Sequence, residues 1–227
     1  MSGTSHILDP EKIDSDALKL NLMISSLYLF TFELLRLSMV GGVKGHFLLQ
    51  GEYSPDEINE LKELDSKMKD LGEDLGESAF EVYQSQLDRF NEAVGMEYDT
   101  PDNHLLLPCA NWLRANNVVS ADDVATVGRI RDHRNQIAHE MPSFLFESGH
   151  DVDVDLLTQT REILRKVDLF WFRMDIHFDP TTLEEIDTSE IPDEEVFSGR
   201  DAFLALASSA VSEYAKQVFP GSGDPVH

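Results

Sequence analysis

Strand signals are nearly absent from this 227-residue chain. No stretch sustains an alternation of apolar and polar residues, and no Asn-Gly or Asp-Gly pair offers the tight turn of a hairpin. That excludes sandwiches and barrels. No repeat of 20–50 residues is apparent, which excludes solenoids and propellers. Cysteine is limited to Cys109, so no intramolecular disulfide framework exists, and a reducing compartment is expected. Met1 to Pro10 lacks the basic and apolar regions of a secretory signal. The most apolar run, Leu18 to Leu49, is interrupted by Lys19, Asn21, Glu33, Arg36 and Lys44. It reads as a long buried helix, not a membrane span. A cytoplasmic protein with no membrane association is the expectation.

Basic residues are also scarce. Lys and Arg number 18 against 43 Asp and Glu, for a net charge of −25. An acidic body repels phosphate backbones at long range. The excess fits a solubility or high-salt adaptation, a face for a basic partner, or the absence of any nucleic-acid role, and composition does not choose among them.

What is present is helical pattern. Asp14 and Ser15 are capping residues for a helix from Asp16 to about Gln50. Its apolar positions Leu20, Ile24, Leu27, Phe30, Leu34 and Leu37 recur at helical spacing. Leu18, Leu22, Leu29 and Phe32 widen the stripe, so burial on more than one side is expected. Gly41-Gly42 marks a kink or break. Ser54-Pro55-Asp56-Glu57 starts a second helix that Gly72 and Gly76 loosen, resuming through Phe80, Tyr83, Leu87 and Phe90. A short helix spans Asn103 to Ala115, with Pro108 resetting its first turn. Ser120-Ala121-Asp122-Asp123 resembles a capping box and opens a helix to about Glu140, where Pro142 disfavours helix at Met141. A loop from Pro142 to His150 leads into a helix from Leu156 to about Met174. An acidic surface crossing at 180–197 precedes a final helix, Arg200 to Phe219. His150, Asp151 and Asp153, like Asp175, His177 and Asp179, are too few and too ordinary to assign a metal. No cofactor is expected. The predicted architecture is an all-α, up-and-down-like four-helix bundle over residues 1–197 with additional short helices. A C-terminal helix and tail, 198–227, pack on the same domain.

One segment breaks the acidic pattern: Gly128-Arg129-Ile130-Arg131-Asp132-His133-Arg134-Asn135-Gln136-Ile137-Ala138-His139-Glu140. With Arg134 at 0° and ~100° per residue, Ile137, Ile130 and Val127 fall within about 60° of it. Arg134 therefore emerges from the apolar arc, where a solvated Arg is not expected. Arg131, Asn135 and His139 stack at i, i+4 and i+8 beside it, with Gly128 on the same side. A Gly in a helix costs ~1 kcal/mol against Ala, and one use for it is close approach by another backbone or a ligand. Arg134 needs a counter-ion, since an unpaired buried charge is costly. A phosphate, or Glu33 from the first long helix, can serve. His139 stands in the last turn, and an imidazole there is suited to proton transfer. The competing reading is structural: Arg134 salt-bridges an acid, His139 caps the helix, and Glu33 sits at the stripe's edge.

Arg134-Asn135-Gln136-Ile137-Ala138-His139 resembles the Arg-x(4–6)-His signature of the HEPN superfamily in its Arg-Asn-x-x-Ala-His form, placed near the end of a late bundle helix. The motif covers six residues, and the helical pattern extends the likeness loosely over 16–178. The resemblance implies a metal-independent endoribonuclease, a toxin or antiviral defence effector of bacterial or archaeal type, acting on RNA as a homodimer with one composite cleft. A cognate antitoxin is an implied partner. In that scheme His139 is the general acid or base, Arg134 stabilises charge on the phosphate oxygens, and Asn135 orients phosphate or His139. Arg131, Arg129 and His133 supply further phosphate contacts, and Glu33 supports Arg134 from behind. Other family members are non-catalytic, so a nucleotide- or protein-binding regulatory module is the alternative. The chain departs from cleaving members in surface charge, because they present a basic groove.

Overall fold

The computed structural model describes residues 14–48, 53–70, 78–178, 191–196 and 198–220. The expected leader at 1–13, the loosening at Gly72 and Gly76, and the tail from Gly221 lie outside the described residues, as does most of the 180–197 crossing. The described residues form an all-α bundle with no strand.

Helix α1 (Ser15–Arg36) begins at Asp14, whose carboxylate accepts the backbone N–H of Asp16. It continues through a π turn, Leu37–Gly41, into α2 (Gly42–Phe47). Gly41-Gly42 therefore widens the helix without breaking it. The need for glycine at 42 is steric: a Cβ there would lie 2.3 Å from Trp171 Nε1. That indole N–H donates to the Ser38 carbonyl at 2.8 Å. The stripe on α1 is narrower than expected. Leu20, Leu27, Tyr28, Phe32 and Leu35 are buried, whereas Leu22, Phe30 and Leu37 are about half exposed at 48%, 44% and 50%.

Helix α3 (Pro55–Asp70) packs mainly on α4 (Ala79–Val94) among the described residues and buries no residue fully. It begins as expected, since Ser54 and Glu57 exchange backbone-to-side-chain bonds. Helix α5 (Asp102–Ala115) runs unbroken past Pro108. Helix α6 (Ala121–His139) opens on a complete capping box between Ser120 and Asp123. It stops at His139, but the segment after it is not a loop: Pro142 lies in the first turn of α7 (Met141–Phe146). Proline disfavours helix at the residue before it, yet Met141 is helical here; in the first turn of a helix the N–H that proline lacks has no intrahelical partner to lose. Helix α8 (Val154–Phe178) continues to Phe178, so Asp175 and His177 are helical and not extended. Helix α9 (Gly199–Val218) closes the chain.

Helices α1, α5, α6 and α8 surround the core, with α9 against α1. Leu204, Val211 and Ala215 of α9 join the same apolar cluster as Leu35, Ile130, Ile137 and Leu164. The helix Ser15–Phe47 meets the length and apolarity of a membrane span among the described residues, but half of its most apolar window is buried inside the bundle. That is how a core helix behaves, and the described residues show no clear membrane span.

Candidate functional site

Local sequence sets the heading of α6. Val127, Ile130 and Ile137 are fully buried, and the Tyr28 hydroxyl on α1 donates to the Ile130 carbonyl at 3.3 Å. These contacts fix the helix rotation, and rotation decides which polar residues meet. Arg131, Arg134, Asn135 and His139 all line one open cleft of about 670 Å³. Its other walls come from α1 (Phe32, Glu33, Arg36) and from the first turn of α5 (Asp102, Asn103, His104).

Arg134 is held on three sides. Its Nη2 donates to Glu33 Oε1 at 2.8 Å, its Nη1 to Asn135 Oδ1 at 3.3 Å, and its guanidinium carbon lies 5.2 Å from the Phe32 ring centre. Its Nε is buried with no hydrogen-bond partner among the described residues. The side chain keeps 33% exposure, enough for a ligand to reach it. Glu33 is the counter-ion, and it serves two cations, since its other oxygen accepts from Arg36 Nε at 2.8 Å. Burial opposes ionisation of Glu33, but the hydrogen bonds and charges of Arg36 and Arg134 outweigh it and hold the carboxyl below its usual range. The chain of charges continues. Arg36 Nη1 donates to Asp102 Oδ2 at 2.5 Å and Lys44 Nζ to Asp102 Oδ1 at 3.1 Å.

Arg131 is partly exposed and paired with its neighbour Asp132 at 3.0 Å. His139, the last residue of α6, is exposed at the cleft. Two expected phosphate contacts lie elsewhere. Arg129 bonds Thr126 and Gln159 at 2.8 and 3.1 Å. His133 Nε2 accepts the backbone N–H of Asp153 at 2.9 Å, and its ring packs edge-on against Tyr28 and Phe144. Both residues fasten α6 to α8 and its approach, so neither faces the cleft. Gly128 is open: no other part of the chain comes within 4 Å of a Cβ built there, and the close approach expected at it is not made within the chain.

Arg36, Asp102 and His104 belong to the cleft, and no local pattern announced them. Arg36 was visible only as an interruption in an apolar run. Asp102 and His104 open a helix 32 and 30 residues before Arg134. Of the residues considered for a metal, Asp153 caps α8 through the Leu156 N–H at 2.9 Å, His150 lies 4.0 Å from Glu147, and Asp179 lies outside the described residues. Among the described residues no group of three or more His, Cys, Asp or Glu could hold a metal ion.

The cleft thus gathers three arginines, three carboxylates and two imidazoles. It is formally neutral with the imidazoles uncharged, in a chain of net charge −25. Such a site can hold one anion by charge-assisted hydrogen bonds and move protons beside it. No known protein family, curated protein or solved structure matches the chain.

Proposed function

We propose that this chain is a HEPN-type endoribonuclease that cleaves RNA without a metal, by attack of a ribose 2′-hydroxyl on the adjacent phosphate. The observation that carries the reading is the meeting of Arg134, Asn135 and His139 in one open cleft, with Arg134 braced by Glu33. In this reading Arg134 binds the phosphate and offsets charge that builds on its oxygens. His139 moves a proton, and Asn135 orients Arg134 through their mutual hydrogen bond. Arg131 adds a further cation at the rim.

The reading includes a homodimer in the cytoplasm. Phe30 on α1 and Leu37 at the start of the π turn are exposed and flank Glu33 at helical spacing. With Phe203 of α9, 5.1 Å from the Phe30 ring, they supply exposed apolar surface suited to a second copy. A toxin or antiviral role, restrained by an antitoxin, belongs to the same proposal.

The test is incubation of purified protein with mixed single-stranded RNA in EDTA. Cleavage is expected, with loss of roughly 100-fold or more in Arg134→Ala and His139→Ala at unchanged helicity. Full activity in both variants refutes the assignment. A second reading is favoured by the three carboxylates that share the cleft with the arginines. There the site is a non-catalytic module that binds a nucleotide or a protein partner. Nucleotide-dependent melting shifts lost in Arg134→Ala, without cleavage at any salt, select it.

A further inference from the structure

We propose that His104, in the first turn of α5, is the second imidazole of this site and forms with His139 the acid–base pair of the cleavage. The inference rests on the ribonuclease reading above. Displacement at phosphorus moves two protons. The 2′-hydroxyl must lose one as the bond from its oxygen to phosphorus forms. The 5′-oxygen must gain one as its bond to phosphorus breaks. The entering and leaving oxygens stand in line on opposite sides of phosphorus, so one side chain does not serve both.

The cleft offers few groups for the second task. Glu33 and Asp102 are held by guanidinium groups at 2.8 and 2.5 Å, and Asp132 is paired with Arg131 at 3.0 Å. A carboxylate so engaged has its oxygens turned toward guanidinium groups and is poorly placed to accept a proton from a bound substrate. His104 and His139 differ: both line the cleft, both are exposed, and neither imidazole has a side-chain partner among the described residues. They come from separate helices, so they can approach a bound phosphate from different directions. Asp102 explains why His104 stays in place. Its carboxylate is fastened to Arg36 and Lys44, which pins the first turn of α5 to the wall built by α1 and α2. His104 is two residues further along that turn.

The step balances without a co-reactant. One imidazole takes the 2′-hydroxyl proton, the other, as imidazolium, gives a proton to the 5′-oxygen, and the products are a 2′,3′-cyclic phosphate and a free 5′-hydroxyl. The pair ends with its protonation states exchanged, and exchange with solvent restores them.

The experiment compares the full chain with His104→Ala and His139→Ala on two oligoribonucleotides. One is ordinary RNA. The other carries a 5′-bridging sulfur at a single linkage, whose thiolate leaves without a proton. On ordinary RNA both variants are expected to lose roughly 100-fold or more. On the sulfur substrate one variant recovers to within about tenfold of the unmodified chain while the other stays low, which identifies the acid and the base. His104→Ala within about threefold of the unmodified chain on RNA overturns the pair, as does any like response of the two variants to sulfur. If the unmodified chain cleaves neither substrate, the ribonuclease reading itself is refuted.

Discussion

Glu33→Gln is a sharp perturbation because it keeps the shape of the side chain and deletes its charge. Glu33 bridges Arg134 and Arg36, each at 2.8 Å. A charge-assisted hydrogen bond is worth about 1.5–3 kcal/mol when well shielded. Here Glu33 keeps 40% exposure and its partners 33% and 28%, so solvent screening brings the expected loss to about 1 kcal/mol for the pair of contacts. In a chain of this size that lowers Tm by roughly 2–4 °C. The sign of the pH dependence follows from the depressed carboxyl. Its contribution is complete above the unfolded value near 4.5 and is lost as pH falls through the lower folded value. Urea unfolding followed by circular dichroism, at low protein concentration because the pI is about 4.4, should show the gap at pH 7 and its closure only as pH falls below the unfolded value of 4.5. A cycle with Arg134→Ala should return a coupling of about 0.5–1 kcal/mol, shrinking with salt. Zero coupling at low salt, or a gap that stays constant into acid, would refute the bridge.

Two further outcomes test the scaffold. Gly42→Ala places a methyl 2.3 Å from Trp171 Nε1 and should cost about 1–3 kcal/mol in urea unfolding, with altered tryptophan fluorescence; a neutral result would show that Trp171 is free to move. Burial pushes the Cys109 thiol up to about 12, so a disulfide reagent at pH 8 should label it only as fast as the bundle opens. Labelling at the rate of a free thiol would contradict its burial.

Much of the site's motif half was legible because α6 obeys its own period. The wheel that lifted Arg134 into the apolar arc also set Arg131, Asn135 and His139 beside it, and all four reach the cleft. The same wheel places Arg129 and His133 at about −140° and −100°, away from that stripe. Their assignment to the phosphate came with the resemblance and did not follow from the wheel. Capping signatures at Ser54 and Ser120 located helix starts well, since a cap is a local bond. Arg36, Asp102 and His104 were not legible. Their meeting depends on how α1, α5 and α6 pack, and no spacing within a single helix encodes it. Phe30 and Leu37 were misjudged for a related reason: an apolar stripe says how much a helix could bury, not how many neighbours arrive to cover it.

The π turn at Leu37–Gly41 has a bearing on the charges beside it. Arg36 and Lys44 are eight residues apart, which in a regular α-helix leaves them about 80° out of line. One residue's worth of extra winding takes back about 100°, so both side chains can point along one line. Both reach Asp102, one to each carboxylate oxygen. The widened turn thus works as a phase shifter between the two halves of one helix. Shortening it by a single residue would leave the apolar surface of α1 untouched and swing Lys44 about a quarter turn off Asp102. The charged tie on the first turn of α5, beside the buried Leu105 and Leu106, would then rest on Arg36 alone.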